Sequence, residues 1–182
     1  AIILAAGRGS RMKELTTERP KCLLELNGQS LLEWQMRALR ESGVSDIAIA
    51  TGYLRELLAG RSEREFYNAR WQDTNMVSSL ACAREWLIAE PCIVSYADIF
   101  YRTSAVAALV ELSAPIAVTY DPNWHKLWEK RFDNPLADAE TFRLNEDGTL
   151  AEIGNKPSSV KEVQGQYMGL LRFEPKGWIE VE

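Results

Sequence analysis

The first stretch of the chain combines a tight turn with cationic side chains. An apolar run, "AIILAA", leads into "GRGSRM", where Gly7 and Gly9 alternate with arginine. Glycines let the backbone turn tightly and bring its N–H groups close to an anion, while guanidinium groups supply charge and paired donors. Five basic residues crowd into the start of a chain whose formal net charge is −5. They are Arg8, Arg11, Lys13, Arg19 and Lys21. This pattern predicts a site for a polyphosphate, such as a nucleoside triphosphate.

Two familiar phosphate-binding loops do not match this stretch. The dinucleotide fingerprint needs a third glycine where Met12 stands, and an acidic residue about twenty positions beyond the motif. The region that should supply the acid holds Asn27 and Gly28. The P-loop needs a glycine directly before its lysine, and Lys13 follows Met12 instead. A dehydrogenase of the Rossmann type is therefore the weakest candidate.

The elements that must position this loop alternate between strand and helix. The clearest helix is "SLLEWQMRALRESG", where Ser30 and Glu33 form a capping box and Gly43 ends the element. Strands are predicted in "AIILA", "DIAIATGY", "EFYNARW", "CIVSYAD", "PIAVTYD" and "YMGLLRF". Helices are predicted in "MVSSLACAREWLIAE" and in "TSAVAALVELS", the latter with Thr103 or Ser104 as N-cap. A hairpin is predicted in "TFRLNEDGTLAEIGN".

This alternation predicts an α/β fold with a mostly parallel central sheet and a small antiparallel hairpin addition. The length of 182 residues favours one domain over 1–182. In an open α/β sheet, ligands bind beyond the carboxyl ends of the strands. The first loop and Asp98, which ends "CIVSYAD", both fall there.

Composition excludes several classes of protein. A hydrophobic share of 46% and a charged share of 26% are those of an ordinary globular protein. The negative net charge, with the basic residues concentrated in one place, argues against a nucleic-acid surface. Three cysteines without a CxxC pair indicate reduced thiols and a cytoplasmic location. No signal peptide or membrane span is expected.

Longer motifs then carry a resemblance. "LAAGRGSRM" followed by "RPKCLLELNGQSLLEWQMRALRESGVSDIAIATGY" is similar to the nucleotidyltransferases that join a nucleoside triphosphate to a phosphorylated small molecule and release pyrophosphate. "TNMVSSLACA", "VSYADIF", "AVTYDPNW", "IGNKP" and "GQYMGLLRF" follow in the family's order. The chain most resembles bacterial phosphocholine cytidylyltransferases and the related 2-aminoethylphosphonate enzymes. The resemblance implies a Rossmann-like three-layer sandwich, Mg²⁺ as cofactor and CTP as the favoured nucleotide.

The resemblance also implies roles for individual residues. Catalytic roles fall to Arg11, Lys21, Asp98 and Lys156. Of these, Arg11 and Lys21 bind the nucleotide phosphates, Asp98 holds Mg²⁺, and Lys156 holds the phosphate of the acceptor. The backbone around Ala6, Gly7, Arg8 and Gly9 cradles the nucleotide, and Asn75 and Ser79 read its base.

The acceptor pocket leaves more than one interpretation open. The candidates are Tyr120, Trp124, Trp128, Glu140 and Tyr167. Aromatic faces attract quaternary ammonium groups, which suits phosphocholine. Glu140 and nearby Asp138 suit a primary ammonium instead. The alternative for the two tryptophans, which lie four residues apart, is that they pack a helix onto the sheet.

One departure from the family leaves further readings open. Its members usually supply a second metal-binding carboxylate late in the chain, and nothing up to Glu182 matches it. We therefore expect the sequence to lack a C-terminal portion of the domain. Two alternatives remain: a UTP- or dTTP-dependent sugar 1-phosphate nucleotidyltransferase, and a non-catalytic nucleotide-binding regulatory domain. The sequence does not indicate an oligomeric state.

Overall fold

Strands and helices alternate along the chain, as the sequence predicts. The structure is a computed structural model, and it describes residues 1–10 and 12–182. The strands are β1 Ile2–Ala5, β2 Glu25–Leu26, β3 Gln29–Ser30, β4 Ala48–Thr51, β5 Arg64–Tyr67, β6 Cys92–Tyr96, β7 Ile116–Asp121, β8 Phe142–Leu144, β9 Leu150–Ile153 and β10 Gln166–Phe173. The helices are α1 Leu31–Glu41, α2 Met76–Ala81, α3 Arg84–Leu87, α4 Thr103–Val110, α5 Trp124–Arg131 and α6 Pro175–Val181.

Six strands form the central sheet, in the order β5-β4-β1-β6-β10-β7. β1 pairs in parallel with both β4 and β6, and β4 pairs in parallel with β5. β10 runs antiparallel to β6. The chain moves outward from β1 to β4 and β5, and then returns to β6 on the other side of β1. The strand order therefore reverses between β1 and β6, which is where open α/β sheets bind their ligands.

The sheet is buried on both faces because its side chains alternate between two cores. On one face, Ile3 and Ile49 pack with Leu39 of α1 and Leu109 of α4. On the other face, α2, α3 and α6 pack through a second set of apolar residues. That set includes Ile2, Ala48, Ala50, Val94, Leu80, Leu87 and Trp178. These layers confirm the predicted α/β sandwich with helices on both faces of a mostly parallel sheet.

The α1 helix forms as its capping signals predict. Ser30 accepts a hydrogen bond from the backbone N–H of Glu33, and the Glu33 carboxylate accepts one from the backbone N–H of Ser30. The Ser30 hydroxyl also donates to the Glu33 carboxylate at 2.7 Å, and this bond, followed by the one from the backbone N–H of Ser30, lowers the pKa of Glu33. Gly43 follows the helix with a φ of 86°, a left-handed conformation that suits glycine.

Two local predictions were wrong. "MVSSLACAREWLIAE" forms two short helices, α2 and α3, because Ala83 leaves the helical region with a φ of −98° and a ψ of 19°. Neither Thr103 nor Ser104 caps α4: the cap position is Arg102, without a side-chain hydrogen bond. The Thr103 hydroxyl is engaged elsewhere, since it donates to the Glu41 carboxylate at 2.8 Å.

The chain divides into two compact units. Unit 1 comprises 1–117 and 169–182, and unit 2 comprises 118–168. Unit 2 contains the predicted hairpin, in which β8 and β9 pair antiparallel around Asp147 and Gly148. Among the residues that the structure describes, no helix combines the length and apolar character needed to cross a bilayer.

Candidate functional site

A cavity of about 260 Å³ lies in unit 1 beyond the carboxyl ends of β1 and β6. This is the point at which the strand order reverses, so the fold predicts a ligand here. The cavity is lined by Leu4, Ala5, Gly7, Gly9, Lys21, Cys22, Met76, Tyr96, Ala97 and Asp98. Four residues that the sequence singles out, Gly7, Gly9, Lys21 and Asp98, therefore meet in one place.

Lys21 and Asp98 form an ion pair at this cavity. The Nζ atom of Lys21 lies 2.5 Å from Oδ2 of Asp98, although the two residues are 77 positions apart in the sequence. Their side chains are 25% and 33% exposed, so both charges can reach a ligand in the cavity. The site thus holds one cation and one hard carboxylate within contact of each other.

The glycine-rich loop positions Lys21 through close packing. Gly9 adopts a φ of 66°, and a Cβ atom at this position would lie 3.2 Å from Cδ of Lys21. The carbonyl of Gly9 accepts hydrogen bonds from the backbone N–H of Met12 at 2.9 Å and from the buried hydroxyl of Thr16 at 3.2 Å. The loop therefore has one defined turn, against which the lysine stem packs. Arg11, the other predicted phosphate ligand, lies outside the described residues.

Gly52, which directly follows β4, packs against the end of β1. The backbone N–H of Tyr53 donates to the carbonyl of Ala6 at 2.9 Å, which fixes the end of β1. A Cβ atom on Gly52 would lie 2.6 Å from that carbonyl oxygen and 2.7 Å from Cβ of Trp71. Arg8 is exposed and lies over the Tyr53 ring at 5.8 Å. Gly52 and Tyr53 could not be predicted as part of the site, because nothing in "TGY" shows how closely two loops approach.

The predicted base-reading segment reaches the cavity through a different residue. Asn75 caps α2, with its Oδ1 accepting from the backbone N–H of Ser78 at 3.1 Å. Ser79 is buried, and its hydroxyl bonds the Asn75 carbonyl and the Asn68 amide. Within the described part of the chain, Met76 lines the cavity, whereas Asn75 and Ser79 do not. Base reading by Asn75 and Ser79 stays a prediction.

Cys22 also lines the cavity, but its thiol is not reactive. The residue is fully buried, and this burial raises the pKa of its thiol to about 12. The thiol is therefore protonated at neutral pH and is a poor nucleophile.

The two candidate tryptophans of unit 2 are engaged within the protein. Trp124 is 2% exposed, and its indole N–H donates to the carbonyl of Val163 at 3.0 Å. Trp128 packs edge-on against Trp124, and the guanidinium of Arg131 lies 5.0 Å from its ring centroid. Packing thus accounts for Trp124, and a cation of this chain already lies over Trp128.

The other acceptor candidates are more accessible. Tyr120 is 39% exposed and stacks on Phe142 at 4.9 Å between ring centroids. Glu140 is exposed, while its backbone N–H and carbonyl bond the side-chain amide of Gln166. Lys156 is exposed and donates to the carbonyl of Ala137 at 2.5 Å. Tyr167 is half-buried on β10.

The side chains at the cavity could hold a metal ion only if the phosphates of a bound nucleotide supplied further ligands to it. Within residues 1–10 and 12–182, no three His, Cys, Asp or Glu side chains come together as a metal site. Mg²⁺, however, is commonly held by one or two carboxylates together with substrate phosphates. Asp98 supplies such a carboxylate at the cavity, so the residues present fit Mg²⁺ that arrives with a nucleotide.

The chain is similar to known nucleotidyltransferases. A family model described as a MobA-like NTP transferase domain matches residues 1–150. The CTP:phosphoglutamine cytidylyltransferase of Campylobacter jejuni is 38% identical over 183 aligned positions, covering 95% of this chain and 72% of that protein. The choline-phosphate cytidylyltransferase of Streptococcus pneumoniae is 40% identical, covering 48% of this chain and 40% of that protein. The 2-aminoethylphosphonate cytidylyltransferase of Lancefieldella rimae is 35% identical, and the alignment covers 54% of this chain and 42% of that protein. The last two matches therefore span less than half of those relatives.

A solved structure confirms the fold. A protein from Bacillus anthracis, described as a glucose-1-phosphate thymidylyltransferase, aligns with a TM-score of 0.73 at 18% identity. The alignment covers 99% of this chain and 73% of that one. At this identity the likeness shows the sugar-nucleotidyltransferase-like fold and nothing about the substrate. The family match over residues 1–150, together with the 38% identity to the Campylobacter protein, shows that the chain belongs to the MobA-like NTP transferases, a family of nucleotidyltransferase enzymes.

Proposed function

We propose that this chain transfers a cytidylyl group from CTP to a small phosphorylated or phosphonate acceptor and releases pyrophosphate. The observation that carries the proposal is the meeting of Lys21 with Asp98 at the cavity where the strand order reverses. CTP is favoured because the relatives from Campylobacter, Streptococcus and Lancefieldella are named as cytidylyltransferases.

In this reaction, an oxygen of the acceptor attacks the α-phosphorus of CTP while pyrophosphate leaves from the opposite side. One P–O bond forms and one breaks, so the protein needs no covalent intermediate. Its task is to align two anions that repel each other and to stabilise the charge on the leaving group. Lys21 supplies a mobile cation for the phosphates, and the backbone at Gly7 and Gly9 provides a surface without side chains against which they lie.

Asp98 is the proposed Mg²⁺ ligand, in company with the phosphates of the nucleotide. When bound there, Mg²⁺ neutralises phosphate charge and polarises the phosphoryl oxygens. The nucleotide phosphates would offer Lys21 anionic partners besides Asp98.

For the acceptor, we propose a phosphorylated amide such as phosphoglutamine ahead of phosphocholine. A quaternary ammonium group needs an open aromatic face, but Trp124 is buried and Arg131 already lies over Trp128. The relative whose alignment spans 95% of this chain is named for phosphoglutamine. The exposed Glu140, Lys156 and Tyr120 remain the proposed acceptor-binding residues of unit 2, together with Tyr167.

A cytoplasmic location is also a proposal. It rests on Cys22, Cys82 and Cys92, all three of which are free thiols.

The direct test measures pyrophosphate release in the presence of Mg²⁺, with CTP and UTP each paired with four acceptors. These are phosphoglutamine, phosphocholine, 2-aminoethylphosphonate and glucose 1-phosphate. Mass spectrometry identifies the product of each pairing. We expect the highest kcat/KM for CTP with phosphoglutamine. Turnover only of UTP with the sugar phosphate would refute the cytidylyl proposal, and nucleotide binding without any turnover would assign a regulatory role instead.

A further inference from the structure

A glutamine side chain is fully buried beneath the candidate site. Gln35 lies on α1 and is 1% exposed. Its Nε2 atom donates to the carbonyl of Tyr96 at 3.0 Å and to the carbonyl of Ile99 at 2.7 Å. Its Oε1 atom accepts from the hydroxyl of Ser95 at 3.0 Å. Each polar atom of the amide therefore has a protein partner on one short segment.

That segment is the one that carries Asp98. Tyr96 ends β6, and Ile99 follows Asp98 directly, so the two carbonyls bonded by Gln35 lie on either side of the carboxylate residue. A single NH₂ group that bonds both carbonyls sets the distance between the two ends of this turn. Gln35 thus fixes the backbone on both sides of Asp98 from the core, while the Asp98 side chain lines the cavity.

The location of Gln35 on its helix makes this arrangement more than ordinary packing. Its neighbours three or four positions away on the helix, Leu32, Ala38 and Leu39, are apolar and lie in the core. A polar side chain there is costly to bury unless each of its groups is bonded. A leucine or methionine would fill the same volume, but it would leave the carbonyls of Tyr96 and Ile99 without this donor.

We infer that Gln35 is a positioning residue for Asp98, because its amide clamps the backbone carbonyls on both sides of the carboxylate. The inference rests on the proposed function, in which Asp98 holds Mg²⁺ with the nucleotide. Gln35 itself does not line the cavity and has no contact with substrate in this account. It acts by keeping the carboxylate at one place relative to Lys21.

The test replaces Gln35 with methionine, which keeps the volume and removes both donors. The first readout uses the protein without metal or nucleotide: ¹⁵N relaxation gives the order parameters of the amides of Ala97, Asp98 and Ile99. A rigid backbone has values of about 0.85, and we expect Gln35→Met to lower them below about 0.6. Unchanged order parameters in this segment would overturn the inference.

The second readout separates positioning from general loss of stability. In Gln35→Met, the Mg²⁺ concentration for half-maximal activity should rise about fivefold, while KM for CTP at saturating Mg²⁺ stays within about twofold. Leu87→Ala is the control, because Leu87 is fully buried in the core of the opposite face. It should destabilise the fold yet leave both the order parameters at Asp98 and the Mg²⁺ dependence unchanged. Equal Mg²⁺ effects in both variants would show a merely structural role.

A milder variant covers the case in which Gln35→Met fails to fold. Ser95→Ala removes the donor to Oε1 of Gln35 and the contact of the same hydroxyl with the Tyr96 carbonyl at 3.2 Å, but it leaves both hydrogen bonds from Nε2 of Gln35 in place. It should shift the order parameters at Asp98 in the same direction by a smaller amount, and no shift would count against the clamp. If wild-type protein shows no turnover, the proposed function fails, but the relaxation measurement still decides whether Gln35 orders the Asp98 segment.

Discussion

Lys21 and Asp98 contact each other at 2.5 Å across a gap of 77 residues in the sequence, and both line the cavity at the reversal of strand order. In this structure, each of the two charges is the ion-pair partner of the other. Partly exposed ion pairs contribute only about 0–1 kcal/mol to stability, because solvent screens them and ordering them costs entropy. The pair is therefore poorly explained as a structural support and well explained as two halves of a binding site.

Replacing Lys21 with alanine should separate activity from folding. We expect the rate of pyrophosphate release to fall at least about 10²–10³-fold, the usual cost of removing one group that stabilises transition-state charge. The free energy of unfolding should change by less than about 1 kcal/mol. Lys176→Ala is the matched control, since Lys176 is exposed on α6. Wild-type activity in Lys21→Ala would remove this residue from the mechanism.

Asp98→Asn should change the dependence on Mg²⁺. An amide is a weaker ligand than a carboxylate for a hard cation, so the Mg²⁺ concentration for half-maximal activity should rise about tenfold or more. Titration of initial rates with Mg²⁺ at fixed CTP measures this shift. Asp46→Asn, at an exposed position outside the cavity, should behave as wild type. An unchanged titration in Asp98→Asn would mean that the metal is held elsewhere.

Two glycines near the cavity should respond in opposite ways to alanine. A Cβ atom on Gly7 meets nothing within 4 Å, so Gly7→Ala should leave the free energy of unfolding unchanged while its methyl group raises KM for CTP. A Cβ atom on Gly52 would lie 2.6 Å from the Ala6 carbonyl oxygen, so Gly52→Ala should lose about 1–3 kcal/mol of stability. Urea unfolding and nucleotide titration of both variants check this contrast. Equal free energies of unfolding for the two variants would show that the backbone at Gly52 can shift to accommodate a methyl group at little cost.

Trp124→Ala should act on the stability of unit 2. The residue is buried and bonded to Val163, so truncation should cost about 3–5 kcal/mol. KM values for the acceptor and for CTP should then change alike. Leu127→Ala, on the same helix and 48% exposed, should have little effect on either property. A selective rise in KM for phosphocholine in Trp124→Ala would restore the aromatic-face interpretation.

Much of the fold could be predicted because local signals agreed with the tertiary structure. The Ser30–Glu33 capping box, Gly43 and the apolar run before Gly7 each determine an element through neighbouring residues alone. The division of the predicted helix at Ala83 could not be foreseen, because the segment contains no glycine or proline there. The Thr103 hydroxyl does not cap α4 because it donates to Glu41, which lies 62 positions earlier in the sequence.

Part of the candidate site could likewise be predicted from the sequence, and part could not. Gly7, Gly9, Lys21 and Asp98 could be placed together because they follow the carboxyl ends of neighbouring parallel strands. The function of the tryptophans could not be judged, because spacing alone does not distinguish a ring in the core from a ring that faces a ligand. Gln35 did leave a signal, namely a polar residue within the apolar stripe of α1, but its partners lie 60 to 64 positions further along the chain.

The most direct test of the central claim is pyrophosphate release from CTP by wild-type protein and by Lys21→Ala, each with and without Mg²⁺ and phosphoglutamine. The account predicts release only when Mg²⁺ and the acceptor are both present, at a rate in Lys21→Ala at least about 10²-fold below that of the wild-type protein. Release in Lys21→Ala near the wild-type rate, or release that needs no acceptor, would contradict it.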